Sequence, residues 1–158
     1  MLLTINDFDN VAMIPMLSPA DETTDPSYGA LRSEIESYIE KYEPLFARKF
    51  FRDKELYSTL LEYDTSTVAN SDLYDSLIKH LRMSLSHYVS FMYHRSRIVT
   101  PIGGVELQSE HGKRTSLIDV QVELWNQMVD NNLFIYADIL GMEHPNSEVF
   151  VKINNFNL

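Results

Sequence analysis

The chain has 158 residues, 44% of them hydrophobic and 23% charged, with 5 Gly, 6 Pro and no Cys, a profile that fits one ordinary globular domain. These counts exclude a collagen, a disulfide scaffold and wholesale disorder, and the missing Cys excludes thiolate nucleophiles, Cys-ligated zinc and iron–sulfur clusters. The net charge of -10 has the wrong sign for a protein whose main work is neutralising phosphates on a duplex.

Charge is unevenly spread. Residues 1–43 hold nine acids against two bases (-7), residues 44–114 hold ten bases against eight acids (+2), and residues 115–158 hold one base against six acids (-5). Such blocks suit identical subunits packed side by side, and equally a monomer with solvated faces. The start of the chain carries Asp7 and Asp9 instead of a cationic region, and Pro15 breaks its apolar stretch, so no targeting segment is expected. The apolar stretch Leu133 to Met142 is short and contains Asp138, so no membrane span is expected and the chain reads as soluble.

Residues 1–26 contain Pro15, Pro19 and Pro26 without a sustained period and read as an extended arm or irregular lead-in. From Tyr28 to Tyr42, Leu31, Ile35, Tyr38, Ile39 and Tyr42 share one face of a 3.6-residue period, which predicts a first helix with Ser27 as its N-cap. Pro44 predicts a break or kink at Glu43, before the apolar-basic stretch Leu45 to Phe51. A second helix is expected from Asp53, lined by Leu56, Tyr57, Leu60 and Leu61.

The third helix, capped by Ser71 or Asp72, carries Leu73, Leu77, Ile78, Leu81, Leu85, Tyr88, Val89 and Met92 at threes and fours through about Arg95. From Ile98 to Arg114 the character changes: Pro101, Gly103, Gly104 and Gly112 stand among Ile98, Val99, Val105 and Leu107, which predicts a β-hairpin or long excursion. The fourth helix is expected from a Thr115 or Ser116 cap through Ile118, Val122, Trp125, Met128, Val129, Leu133, Tyr136 and Leu140 to Gly141. After Pro145, the tail alternates Val149, Val151 and Ile153 with Phe150, Lys152 and Asn154 and reads as one extended strand.

The fold class is therefore mainly α. A four-helix bundle-like domain spans 27–144, with a small β-hairpin excursion at about 98–114 between helices 3 and 4, and extended arms at 1–26 and 145–158. A lone terminal strand exposes unpaired backbone groups, so the tail is read as an arm that contacts a partner, the alternative being a fold-back onto its own hairpin.

No constellation supports an enzyme, a metal or another cofactor. His80, His87 and His94 lie on one stripe of the third helix, but seven residues rise about 10.5 Å, too far for two of them to share a metal. They read as the polar edge of a buried helix. Glu34, Glu36, Glu40 and Glu43 fall off the apolar stripe of the first helix and are expected to be solvated. Gly112-Lys113-Arg114-Thr115 lacks the earlier Gly and the leading strand of a phosphate loop. Arg95, Arg97, Lys113 and Arg114 bracket the excursion, and Arg48, Lys49, Arg52 and Lys54 flank the second helix; these bases read as partners of a neighbour's acids or as solvated groups.

The order of parts carries a resemblance. An amphipathic helix containing Glu34-Ile-Glu-Ser-Tyr-Ile-Glu-Lys-Tyr42 leads to a short second helix. A long helix with the interior Ser84-Leu-Ser-His-Tyr-Val-Ser-Phe-Met92 follows, then the excursion Thr100-Pro-Ile-Gly-Gly-Val105, a last amphipathic helix and a trailing arm. Over residues 28–145 this resembles the head–tail connector, or adaptor, proteins of tailed bacteriophages, in the version found in phages and prophages of Bacteroides-type hosts.

The resemblance implies a virion structural protein, made in the host cytoplasm, that forms a homo-oligomeric ring of about twelve copies beneath the portal. Such a ring extends the DNA channel, lets DNA pass without gripping it, and docks the next neck or tail protein. It implies that Glu148, Val149, Phe150, Val151, Ile153 and Phe156 contact the portal or a neighbouring subunit. It also implies that Ile102, Gly103, Gly104, Val105, Lys113 and Arg114 form an inter-subunit or channel loop. The competing expectation is a small helical protein-binding or regulatory module acting as monomer or dimer.

Overall fold

The protein is mainly helical. The structure, a computed structural model, describes residues 1–8, 14, 27–51, 54–65, 72–98, 107–108, 114–115, 117–141 and 150–153. Within them a 3-10 turn at Ile5–Phe8 precedes α1 (Tyr28–Phe50), α2 (Lys54–Thr65), α3 (Asp72–Ile98) and α4 (Leu117–Phe134), and a single π turn at Ile135–Ile139 ends the helical run.

At 27 residues α3 is about 40 Å long, and α1, α2, α4, the π turn and the N-terminal 3-10 turn all pack on it. Its neighbours run antiparallel to it. On α1, Tyr38 meets Tyr93 while Tyr42 and Phe46 meet Tyr88; on α4, Trp125 meets Phe91 while Phe134 meets His80. The apolar stripes seen in the sequence become the core, where Ile35, Ile39, Phe46, Leu60, Leu77, Leu81, Leu85 and Met128 are buried together. A smaller cluster of Phe91, Val120 and Leu124 sits toward the other end of α3 and α4.

α1 does not break at Pro44. It continues to Phe50, and Phe51 then turns to extended backbone while its N–H donates to Ala47 O at 2.9 Å. A proline inside a helix costs about 3 kcal/mol. Burial of Phe46 and Phe50, at about 1.5–3 kcal/mol each, offsets that cost. Pro44 itself lies on the exposed side, where the carbonyl it leaves unpaired can meet water.

Glu43 also departs from expectation, because its side chain is fully buried instead of solvated. With α1 unbroken, Ile35, Ile39, Glu43, Phe46 and Phe50 fall at spacings of four, four, three and four, so Glu43 lies on the apolar stripe. At the other end, Ser27 does not cap α1 with its hydroxyl; its backbone carbonyl accepts the N–H of Leu31 at 3.0 Å.

Between α3 and α4, β1 (Leu107–Gln108) and β2 (Arg114–Thr115) pair antiparallel, with Leu107 opposite Thr115 and Gln108 opposite Arg114. The end of the helical run agrees with the expected stop at Gly141, which adopts a left-handed φ of 61°. The π turn before it, closed by Leu140 N–H to Ile135 O at 2.9 Å, buries the consecutive residues Ile135 and Tyr136. Tyr136 Oη then donates to Phe50 O at 2.6 Å, satisfying a carbonyl at the end of α1.

Neither end of the chain reaches away over its described residues. Leu2, Leu3, Ile5, Phe8 and Ile14 belong to the main core, so the start of the chain is a packed element and not an arm. Phe150 belongs to the same core, and residues 150–153 lie against α4. The expected free C-terminal arm is corrected over this stretch.

Candidate functional site

Two places hold chain segments through side-chain chemistry. The first is a node around the buried carboxylate of Glu43. Its Oε1 accepts the N–H of Leu2 at 2.7 Å and Tyr57 Oη at 2.5 Å, and its Oε2 accepts the N–H of Leu3 at 3.1 Å. Arg82 Nε donates to Leu2 O at 2.8 Å, so both the donors and the acceptor of this short backbone stretch are engaged. A carboxylate with charge-assisted donors on both oxygens is a strong anchor, roughly twice as strong per bond as neutral pairs. Burial, reinforced by its bond to Glu43, pushes the Tyr57 phenol well above its ordinary range and keeps it a donor. At the edge of the node Thr4 donates to Asp7 Oδ2 through both N–H (2.7 Å) and Oγ1 (2.8 Å), which fixes the 3-10 turn.

The second place is the outer side of α4. Trp125 Nε1 donates to Val151 O at 2.7 Å. Asn126 holds Ile153 by two bonds, accepting its N–H at 2.8 Å and donating Nδ2 to its carbonyl at 3.0 Å. Lys152 Nζ stands 2.6 Å from Asp130 Oδ1, both side chains being about half exposed, so this pair contributes little energy by itself. Phe150 provides the apolar anchor, its ring 5.5 Å from that of Phe46 and 6.3 Å from that of Trp125. Side chains of α4 thus satisfy the tail's backbone, the task a neighbouring β-strand was expected to perform.

The sequence-nominated contact residues therefore separate. Phe150 is inside, Val151 is 58% exposed and Ile153 is half-buried. Glu148, Val149 and Phe156 lie outside the described residues, as do Ile102, Gly103, Gly104, Val105 and Lys113 of the excursion. Arg114 is placed by its backbone in β2. The residues that sequence reading missed are Glu43, Tyr57, Arg82, Asn126 and Asp130. For Glu43 the signal was present, since the apolar stripe extends through it once the helix passes Pro44.

The histidine stripe runs along the seam of α3 and α4. His80 Nδ1 lies 3.0 Å from Asn131 Oδ1, and Asn131 Nδ2 reaches both His80 O and Ser84 Oγ at 2.6 Å, a clamp between the two helices. His87 and His94 are buried. Also buried in this region are Ser90 Oγ, Gln121 Nε2 and both amide atoms of Asn132, each without a hydrogen-bond partner among the described residues. Among the described residues no cluster of three or more His, Cys, Asp or Glu could hold a metal ion. No described helix is long and apolar enough to cross a membrane.

Comparison with protein-family models, curated proteins and solved structures finds no match.

Burial lowers the pKa of His87 below its ordinary value, against the opposing effects of Met83 O (2.7 Å from Nδ1), Gln127 and Glu123. The folded protein holds this ring neutral, whereas the unfolded chain takes up a proton below about pH 6.5. The contribution of His87 to stability is therefore present above pH 6.5 and is lost as pH falls below it. Urea midpoints of wild type and His87→Gln are expected to converge between pH 7.5 and 5.5; parallel curves would contradict the assignment.

Proposed function

We propose that the chain is a non-enzymatic structural subunit of a phage neck. It forms a ring beneath the portal that extends the DNA channel and docks the next neck or tail protein. The observation supporting this reading is the order and direction of the helices. A long α1 and a longer α3 run antiparallel, a short α2 joins them, and α4 returns along α3 after an interruption that contains the β1–β2 pair. That is the order of parts on which the resemblance to head–tail connectors rests.

In this reading the bundle is a wedge, and wedges pack side by side through unlike faces until the ring closes. The β excursion, with Ile102 to Val105, Lys113 and Arg114, is the inter-subunit or channel loop. Glu148, Val149, Val151 and Phe156 meet the portal, while Phe150 secures their segment to the bundle. The overall negative charge lets DNA slide past the wall instead of sticking to it.

Light scattering tests the reading on the chain alone and mixed with the portal protein encoded beside it. Twelve copies of an 18.3 kDa chain give a particle of about 220 kDa. A persistent monomer or dimer in both settings would sink the ring. That outcome would favour the alternative, a small protein-binding module, which the self-docked segment 150–153 would equally suit.

A further inference from the structure

We propose that the seat on α4 built by Trp125, Asn126 and Asp130 receives residues 150–153 of a second copy of this chain, so that neighbouring subunits exchange their tails. The inference rests on the ring reading for what brings the copies together, and its chemistry is that of the seat.

The seat grips backbone through side chains. Asn126 makes to Ile153 the pair of bonds, one given and one taken, that an antiparallel strand would make, and Trp125 Nε1 takes the carbonyl two residues earlier. A site of this kind depends on the segment presented to it and is indifferent to which copy presents it. It also has a readable preference. An aromatic ring must enter beside Phe46 and Trp125, and a cation must follow two residues later for Asp130. Lys152 is the single base among residues 115–158, and it is this residue that Asp130 holds.

Geometry allows the exchange. The nine residues from Gly141 to Val149 span at most about 30 Å when extended. The distance back from Leu140 to Asn126 is about 21 Å at helical rise, so the tether has slack. Helices pack 8–10 Å apart, which places the equivalent helix of an adjoining bundle on the order of 20–25 Å away, within the same reach. Gly141, with its φ of 61°, stands at the pivot where the tether leaves the helical run.

The energetics are nearly balanced, because the same contacts form in either arrangement. What decides between them is effective concentration, which for a short tether is in the millimolar range. A free chain at low concentration keeps its own tail, whereas copies held side by side present each other's seats at comparable concentration. An emptied seat would leave the ring pocket of Phe150 open, so exchange keeps every seat filled.

Mixed-isotope cross-linking provides the test. Equal amounts of 15N-labelled and unlabelled full-length chain are incubated together at about 1 mM, where cis and trans seating compete. A zero-length carbodiimide then joins the Lys152 amine to the Asp130 carboxylate, and the 130–152 cross-linked peptides are weighed. Exchange predicts hybrid-label peptides, on the order of a quarter of the 130–152 product when cis and trans are equal. Uniformly labelled peptides alone, or no 130–152 cross-link, would overturn the proposal. Light scattering of the same sample separates the two ideas. A ring with only uniform cross-links defeats exchange and leaves the neck reading standing, and hybrid cross-links in a particle no larger than a dimer do the reverse.

Discussion

Replacing Glu43 with Ala is expected to destabilise the protein by about 3–5 kcal/mol, because it strands two backbone amides and a phenol in the interior, at about 1–3 kcal/mol for each lost partner. For a chain of this length that corresponds to a fall in melting temperature of roughly 10 °C. Thermal unfolding followed by circular dichroism measures it. Hydrogen exchange adds a local readout, since the amides of Leu2 and Leu3 should lose protection in the variant before the α3 amides do. Glu43→Gln keeps the volume and one acceptor oxygen and should cost about half as much. A Glu43→Ala melting temperature within 2 °C of wild type would mean that the carboxylate does not hold the start of the chain.

Phe46→Ala is the second large effect, expected at about 3–5 kcal/mol. Phe46 is fully buried where four rings converge, stacked on Phe50 at 5.3 Å and tilted against Tyr88 at 5.4 Å and Phe150 at 5.5 Å. Its removal leaves a cavity and loosens both the last turns of α1 and the anchor of the tail. Phe46→Leu retains most of the apolar volume and should cost under about 1.5 kcal/mol. Equal losses for Ala and Leu, read from denaturant midpoints, would mean that the site collapses freely and that the four-ring junction carries no special packing.

Much of this architecture was legible in the residue pattern, and the failures have specific causes. The helices of Tyr28, Asp72 and Ile118 onward follow from apolar residues at threes and fours, which depend on helical geometry alone. Pro44 misled because a local rule, the missing N–H, was weighed without the burial of Phe46 and Phe50 that outweighs it. Glu43 misled in consequence, since acids normally face water and only the continued stripe places this one inside. Its partners, the amides of Leu2 and Leu3, lie about forty residues away, a pairing that no local pattern reveals.

The tail teaches a related lesson. Alternation in Val149 to Ile153 signals backbone that needs hydrogen-bond partners, and that inference was sound. It does not say that the partners must be another strand. Asn126, a residue with one amide donor and one carbonyl acceptor, supplies both to Ile153 from a helix, and Trp125 contributes its ring N–H. Because Trp125 packs within the aromatic face of α4, it was visible in the sequence as core, while its polar edge was not.

That same indole is the single tryptophan of the chain. Its ring nitrogen is bonded to the tail and its face lies near Phe91 and Phe150. The protein thus contains a natural optical reporter: undocking of residues 150–153 bares the indole to solvent, and its fluorescence shifts to longer wavelength without any attached dye.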